Sequence, residues 1–130
     1  MRLLVDTNRY AAVIGVDGSS FPHWQDATEV WLSLITIGEL LTGFALGSRQ
    51  QENERRLSQL IETQGVGILP ISESTSRRYA EIQSFLRRQG TQIPSNDAWI
   101  AAQALEHDLM LDTLDHHFRR IPGLSLLEQS

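Results

Sequence analysis

Carboxylates recur in this 130-residue chain where a short apolar run has just ended. Asp6 follows "RLLV", Glu39 lies shortly beyond "EVWLSLI", Asp97 opens a helical stretch, and Asp112 and Asp115 follow "LML". Carboxylates gathered at one place repel one another by about 3 kcal/mol per pair at ~5 Å and an effective dielectric of ~20. A fold tolerates that only if the groups are protonated, spread apart or neutralised by a cation. Oxygen-only ligands suit Mg²⁺ or Mn²⁺, whereas zinc would want His or Cys. A cation so held can orient and deprotonate water and stabilise charge on a phosphodiester. Metal-assisted phosphodiester hydrolysis is therefore the reaction class this pattern fits.

Each residue also has a plainer reading. Asp6 can be a turn residue, with Asn8 capping the helix that follows. "TIGE" fits a capping box, with Thr36 at the N-cap and Glu39 reaching back to its backbone N–H. Asp97 can favour the positive end of a helix capped by Ser95 or Asn96. Asp112 and Asp115 can be turn residues. His116 and His117 look like a metal pair, but chain neighbours do not easily share one ion, so a structural or surface role is expected. The arginine pairs at 55–56, 77–78 and 87–88 read as solvated helix faces, and Trp24, Trp31 and Trp99 as packing or interface residues.

Composition narrows the classes. The length is that of one domain, 1–130, with enough chain to bury a core. There is no cysteine, hence no disulfide framework, thiol nucleophile or Cys-ligated zinc. "MRLLVD" meets a charge at its sixth residue, and no long apolar span follows, so a soluble cytoplasmic protein without a membrane segment is expected. The net charge of -5 argues weakly against a large nucleic-acid footprint. All eleven basic residues are arginine, which excludes lysine chemistry while leaving bidentate phosphate contacts available.

The elements that must position these groups alternate. Strands are expected at 2–5, 29–35, 65–71, 109–112 and 124–127, and helices at 8–14, 36–47 with Gly47 as cap, 51–63, 73–90 and 94–108. Residues 15–23 read as a Gly-, Ser- and Pro-containing loop. Strands alternating with helices imply an α/β fold, a mainly parallel sheet of four to five strands covered on both faces. In such sheets function gathers beyond the carboxyl ends of the strands, where these carboxylates fall.

The set "LLVDTNRY", "LITIGELLTG", "PSNDAWIAAQAL" and "LDTLDHHFRRIPGL" resembles the PIN-domain ribonucleases, specifically the VapC toxins of toxin–antitoxin pairs, over nearly the whole chain. "DTN" alone is unspecific; the ordered combination is what carries the resemblance. It implies a three-layer α/β/α PIN-like fold and an endoribonuclease using one or two Mg²⁺ or Mn²⁺ ions. The family's acidic quartet falls on Asp6, Glu39, Asp97 and Asp115, with Asn8 and Thr113 as supporting polar residues. By this analogy Asp6 and Asp97 are the central metal ligands, Glu39 completes the site or orients water, and Asp115 helps hold a second metal, Asp112 being the alternative fourth acid. Leu114 departs from the family, where a polar or basic residue is common. The resemblance also implies a homodimer and an antitoxin partner whose tail enters the active-site groove. From position, Arg9, Arg119 and Arg120 are the candidate RNA contacts.

Two rival classes follow from the same residues. A phosphoacceptor receiver or haloacid-dehalogenase-like phosphatase also places an Asp after its first strand, but relies on a lysine that this chain lacks. A non-catalytic PIN-like protein-binding module would show eroded acidic positions, whereas all four are occupied here.

Overall fold

The computed structural model describes residues 1–14, 24 and 26–127. Four short parallel strands run through its centre: β1 (Arg2–Val5), β2 (Glu29–Ser33), β3 (Val66–Leu69) and β4 (Met110–Asp112), in the spatial order β3-β2-β1-β4. Five α-helices accompany them: α1 (Thr7–Ile14), α2 (Leu34–Leu46), α3 (Gln50–Ile61), α4 (Glu73–Gln89) and α5 (Ser95–His107). A 3₁₀ turn spans His116–Arg120.

Strand alternation sorts the core into two layers. On β1, Leu3 and Val5 join Tyr10, Val30, Leu32, Leu40 and Leu57 on one face of the sheet. Leu4 faces the other way, against Ile82, Leu86, Ile100, Leu111 and Phe118. Successive side chains of a strand point to opposite faces, so a continuous apolar run is what a doubly covered parallel strand requires. Helices α2 and α3 cover one face and α4 and α5 the other, giving the three-layer α/β/α arrangement expected.

Local chemistry explains where elements stop. Gly90 ends α4 with φ +71, a left-handed conformation that favours glycine, and its N–H returns to the carbonyls of Arg87 and Leu86. Gly67 pairs with Trp31 across β3 and β2, and a Cβ there would sit 2.8 Å from the Trp31 ring. At that position only glycine lets the indole lie across the strand.

Several boundaries differ from the sequence expectation. β2 ends at Ser33, not at residue 35, because the Ser33 hydroxyl accepts the Ile35 N–H at 3.0 Å and starts α2 at once. The apolar "LI" that extends the strand pattern is thus the first turn of a helix. Thr36 is consequently inside α2 and fully buried, and the capping box at Thr36 and Glu39 does not exist. Gly47 does cap α2, its N–H meeting the Phe44 carbonyl at 3.2 Å, but with extended backbone. Residues 124–127 supply one parallel bridge, Leu111 to Leu126, with flanking backbone bonds to Ser125 and Leu127, short of a full fifth strand. The loop expected at 15–23 lies outside the described residues. The arginine pairs occupy solvated faces as expected, Arg56 pairing with Glu52 and Arg77 with Glu73 one turn away. Trp99 stacks on Tyr79 at 3.9 Å between ring centres.

Candidate active site at the carboxyl end of the sheet

Asp6 stands where β1 leaves the sheet. Its N–H still donates to the Asp112 carbonyl at 2.9 Å, continuing the ladder, while its own carbonyl accepts from Arg9 and Tyr10 and so begins α1. The carboxylate is 2% exposed. One oxygen accepts the Thr7 N–H at 2.8 Å and the other the Thr113 hydroxyl at 2.7 Å. Asp6 is therefore the N-cap of α1 as well as a lining residue of the cleft, and the turn is what presents it there.

The neighbouring residues tie the other acids to the same place. The Thr7 hydroxyl lies 2.7 Å from Glu39 Oε1 and 3.1 Å from Thr36 Oγ1, which joins α1 to α2. Asn8 donates to Asp115 Oδ2 at 2.9 Å and accepts the Leu114 N–H at 3.2 Å. Thr113, besides donating to Asp6, accepts the Asp115 N–H at 3.1 Å. Asp97 enters from the first turn of α5, near its positive end, behind an N-cap (Pro94) that makes no side-chain bond. His117 Nε2 lies 2.8 Å from Asp97 Oδ2 and 4.0 Å from Asp115 Oδ2. Asp6, Asn8, Glu39, Asp97 and Asp115 all line one cleft of about 610 Å³, with Thr7, Ser95 and Asn96 between them.

The charge of these acids is at most partly compensated, by His117 beside Asp97. Burial pushes the Asp6 carboxyl up from 3.8 to about 6; the Thr113 and Thr7 hydrogen bonds oppose this, and the charges of Asp97 and Asp115 reinforce it. Asp97 is also raised, again chiefly by burial, with His117 opposing and Asp115 and Glu39 reinforcing. Among the described residues no arginine forms an ion pair with any of these four acids. The donor set is carboxylate oxygen plus one imidazole nitrogen, and Asp97, Asp115 and His117 bring one ligand atom each within 4.8 Å of the others. Such a set fits a divalent cation, which would supply the missing positive charge.

Asp112 is different. It is fully buried, its Oδ2 accepts the Trp24 indole N–H at 2.9 Å, and Arg9 Nε lies 3.3 Å from its Oδ1. That guanidinium is close enough to pair as a charge, although its N–H does not point at the oxygen. Arg9, expected at an RNA contact, is thus turned inward to Asp112 and does not line the acidic cleft. Arg119 is exposed and lines an adjoining hollow with Thr113, Leu114, Asp115 and His116. Arg120 is exposed and donates to the Gln92 carbonyl at 3.1 Å.

Two participants were missed by the sequence reading. His117, expected in a structural or surface role, contacts Asp97 at the cleft. A 3₁₀ turn rotates neighbours by about 120°, so His117 faces the acids while His116 faces the adjoining hollow. Thr7, given no role of its own among the site residues, carries the link to Glu39.

Known proteins resemble this chain in sequence and in fold. Residues 3–124 match the PIN domain family. The ribonuclease VapC4 of Mycobacterium tuberculosis is 32% identical over 127 residues, covering 97% of this chain and 95% of that protein. Toxin FitB of Neisseria gonorrhoeae is 37% identical over 99 residues, 71% of each chain. The solved structure of VapBC-1 from Haemophilus influenzae superposes with a TM-score of 0.78 at 26% identity, covering 98% of both chains.

Proposed function

The chain belongs to the PIN-domain family, and from that premise we propose that it is the toxin of a toxin–antitoxin pair, a divalent-metal-dependent endoribonuclease hydrolysing RNA phosphodiester bonds. The observation that carries the reading is the convergence of Asp6, Glu39, Asp97 and Asp115 on one cleft where, among the described residues, no arginine pairs with them.

In this reading Asp6 and Asp97 are the central ligands of Mg²⁺ or Mn²⁺. Asp115 helps hold a second ion, and Glu39 completes the site or orients the attacking water. A bound ion supplies Lewis-acid stabilisation of charge on the phosphoryl group and acidifies water. The chain's own groups do the positioning. Thr113 and the Thr7 N–H hold both Asp6 oxygens, Thr7 holds Glu39, and Asn8 holds Asp115, so the acids are pre-oriented before substrate arrives. Arg119, in the hollow that shares Asp115 with the cleft, and the exposed Arg120 suit phosphate contacts. In-line attack by water leaves 3′-hydroxyl and 5′-phosphate ends; 2′,3′-cyclic phosphate on end-labelled products would contradict that mechanism.

The partners belong to the same proposal. The likeness to Toxin FitB and to VapBC-1 supports a cognate antitoxin, and we add to the same reading that a segment of it occludes the cleft and that the chain forms a homodimer. We read 1–130 as a single domain acting in the cytoplasm, where RNA and antitoxin would meet it. Among the described residues no helix is long and apolar enough to cross a membrane.

The test is RNA cleavage by purified protein with and without Mg²⁺ or Mn²⁺, comparing wild type with Asp6→Asn and Asp97→Asn. Each variant should keep its circular dichroism spectrum and lose on the order of 10³-fold or more in rate, about 4 kcal/mol of transition-state stabilisation. Equal, metal-independent cleavage by all three would refute the assignment.

A further inference from the structure

We infer that His117 is a nitrogen ligand of the divalent ion and makes this site favour a transition-series ion such as Mn²⁺ over Mg²⁺. The inference rests on the metal-dependent reading above.

Three features of the geometry carry it. First, His117 Nε2 hydrogen-bonds Asp97, at the start of α5, and also lies within ion-pair distance of Asp115, in the segment after β4, so two carboxylates from different elements flank it. Second, the spacings are those of one coordination sphere. With bonds of ~2.1 Å an octahedral site separates adjacent donors by about 3 Å and opposite donors by about 4.2 Å. The observed separations from Nε2 are 2.8 Å to Asp97 Oδ2 and 4.0 Å to Asp115 Oδ2. Nε2 therefore already stands near one adjacent and one opposite spacing, and the three ligand atoms all lie within 4.8 Å of one another.

Third, the imidazole is held in place. It is carried on the 3₁₀ turn beside Phe118, whose ring is fully buried and lies 4.9 Å from the His117 ring. The His117 side chain is 23% exposed, open enough to admit an ion and shielded enough to fix its direction. His116 on the same turn is exposed and lines a different hollow, which removes the objection that two adjacent histidines cannot share one ion.

The chemical consequence concerns ion choice. Mg²⁺ is a hard ion that binds oxygen and keeps much of its water, so it gains little from an imidazole. Ions of the first transition series accept imidazole nitrogen. Coordination needs the Nε2 lone pair free, so the ring proton resides on Nδ1 when the ion is bound. A site of four carboxylates alone would leave ion preference to size and geometry; His117 adds a donor that separates the two classes.

The test is binding and spectroscopy of Mn²⁺ on the full-length protein, with no RNA present. Pulsed electron paramagnetic resonance of the Mn²⁺ complex should show ¹⁴N modulation from a directly bonded nitrogen. That signal should convert to the ¹⁵N pattern in wild-type protein labelled at histidine, a readout that needs no mutation, and should vanish in His117→Gln. Calorimetry should show the Mn²⁺ Kd weakened 10-fold or more by His117→Gln and the Mg²⁺ Kd by less than about 3-fold. Bound Mn²⁺ without nitrogen coupling, or coupling that persists in His117→Gln, overturns this inference and leaves the ribonuclease reading standing. Failure of wild type to bind Mn²⁺ at millimolar concentration overturns both.

Discussion

Asp112 and Asp6 sit at the same ends of two paired strands, joined by the bond from the Asp6 N–H to the Asp112 carbonyl. Both carboxylates are almost inaccessible to water. Asp112 faces a guanidinium and an indole N–H supplied by the chain itself. Asp6 faces a hydroxyl and a backbone N–H, and two further acids, Asp97 and Asp115, push against its charge. The first carboxylate has its counter-charge built in and works as a structural tie between α1, Trp24 and β4. The second has no such partner, and in the proposed function a divalent cation supplies it. Burial alone does not distinguish a structural acid from a functional one; the source of the balancing charge does.

The contrast makes opposite predictions for the two acids. Asp6→Asn abolishes cleavage, as above, and spares the fold. Asp112→Ala should do the reverse, because it strands the Arg9 guanidinium, whose side chain is 15% exposed, without its carboxylate. Breaking a buried pair on one side costs about 3–5 kcal/mol. A urea titration should show that loss, while cleavage per folded molecule stays within about 10-fold of wild type. The double variant Arg9→Met/Asp112→Leu should recover much of the stability, since replacing both partners leaves no charge unpaired.

A smaller effect sharpens the comparison through pH. A carboxyl moved from 3.8 unfolded to about 6 folded is unfavourable when ionised, by roughly 3 kcal/mol. The sign follows: below about pH 4 Asp6 is protonated in both states and costs nothing, and stability is lost as the pH rises through about 6. The stability difference between ion-free wild type and Asp6→Asn should therefore be near zero at pH 4 and approach roughly 3 kcal/mol in favour of the variant above pH 7. A difference independent of pH would mean that Asp6 is not held by its burial.

How far the sequence foretold these two acids varies by level. The layers were legible because "LLV" at 3–5 is apolar without interruption, as a doubly covered strand needs. Asp6 and Asp115 were legible because each follows a strand, Glu39 and Asp97 only as acids early in a helix, and the family resemblance is what joined the four. Other features depend on which way a side chain turns, which spacing does not encode. Asp112 and Asp115 lie three residues apart after the same strand, and only the positions of Arg9 and Trp24 separate them. Thr36 looked like a cap because the true cap, Ser33, is embedded in an apolar run. His117 was hidden because a 3₁₀ turn separates neighbours that a strand or an α-helix would also have separated, but in other directions.

The smallest effect lies in the supporting residues. Asn8→Ala removes the donor that holds Asp115 and should lower cleavage by about 10- to 100-fold, the range for an outer partner of a metal ligand. Raising the ion concentration should restore part of that loss, whereas it should restore nothing in Asp6→Asn.

The central claim is that the charge of the cleft is balanced from outside. Its most direct test is thermal unfolding of wild type and Asp6→Asn at pH 7.5, in chelator and then in Mn²⁺. In chelator the variant should melt higher than wild type, by about 5 °C or more. With Mn²⁺ added, wild type should rise by several degrees and the variant scarcely at all. If the variant melts lower in chelator and both proteins respond equally to Mn²⁺, Asp6 is a structural carboxylate like Asp112 and the account is wrong.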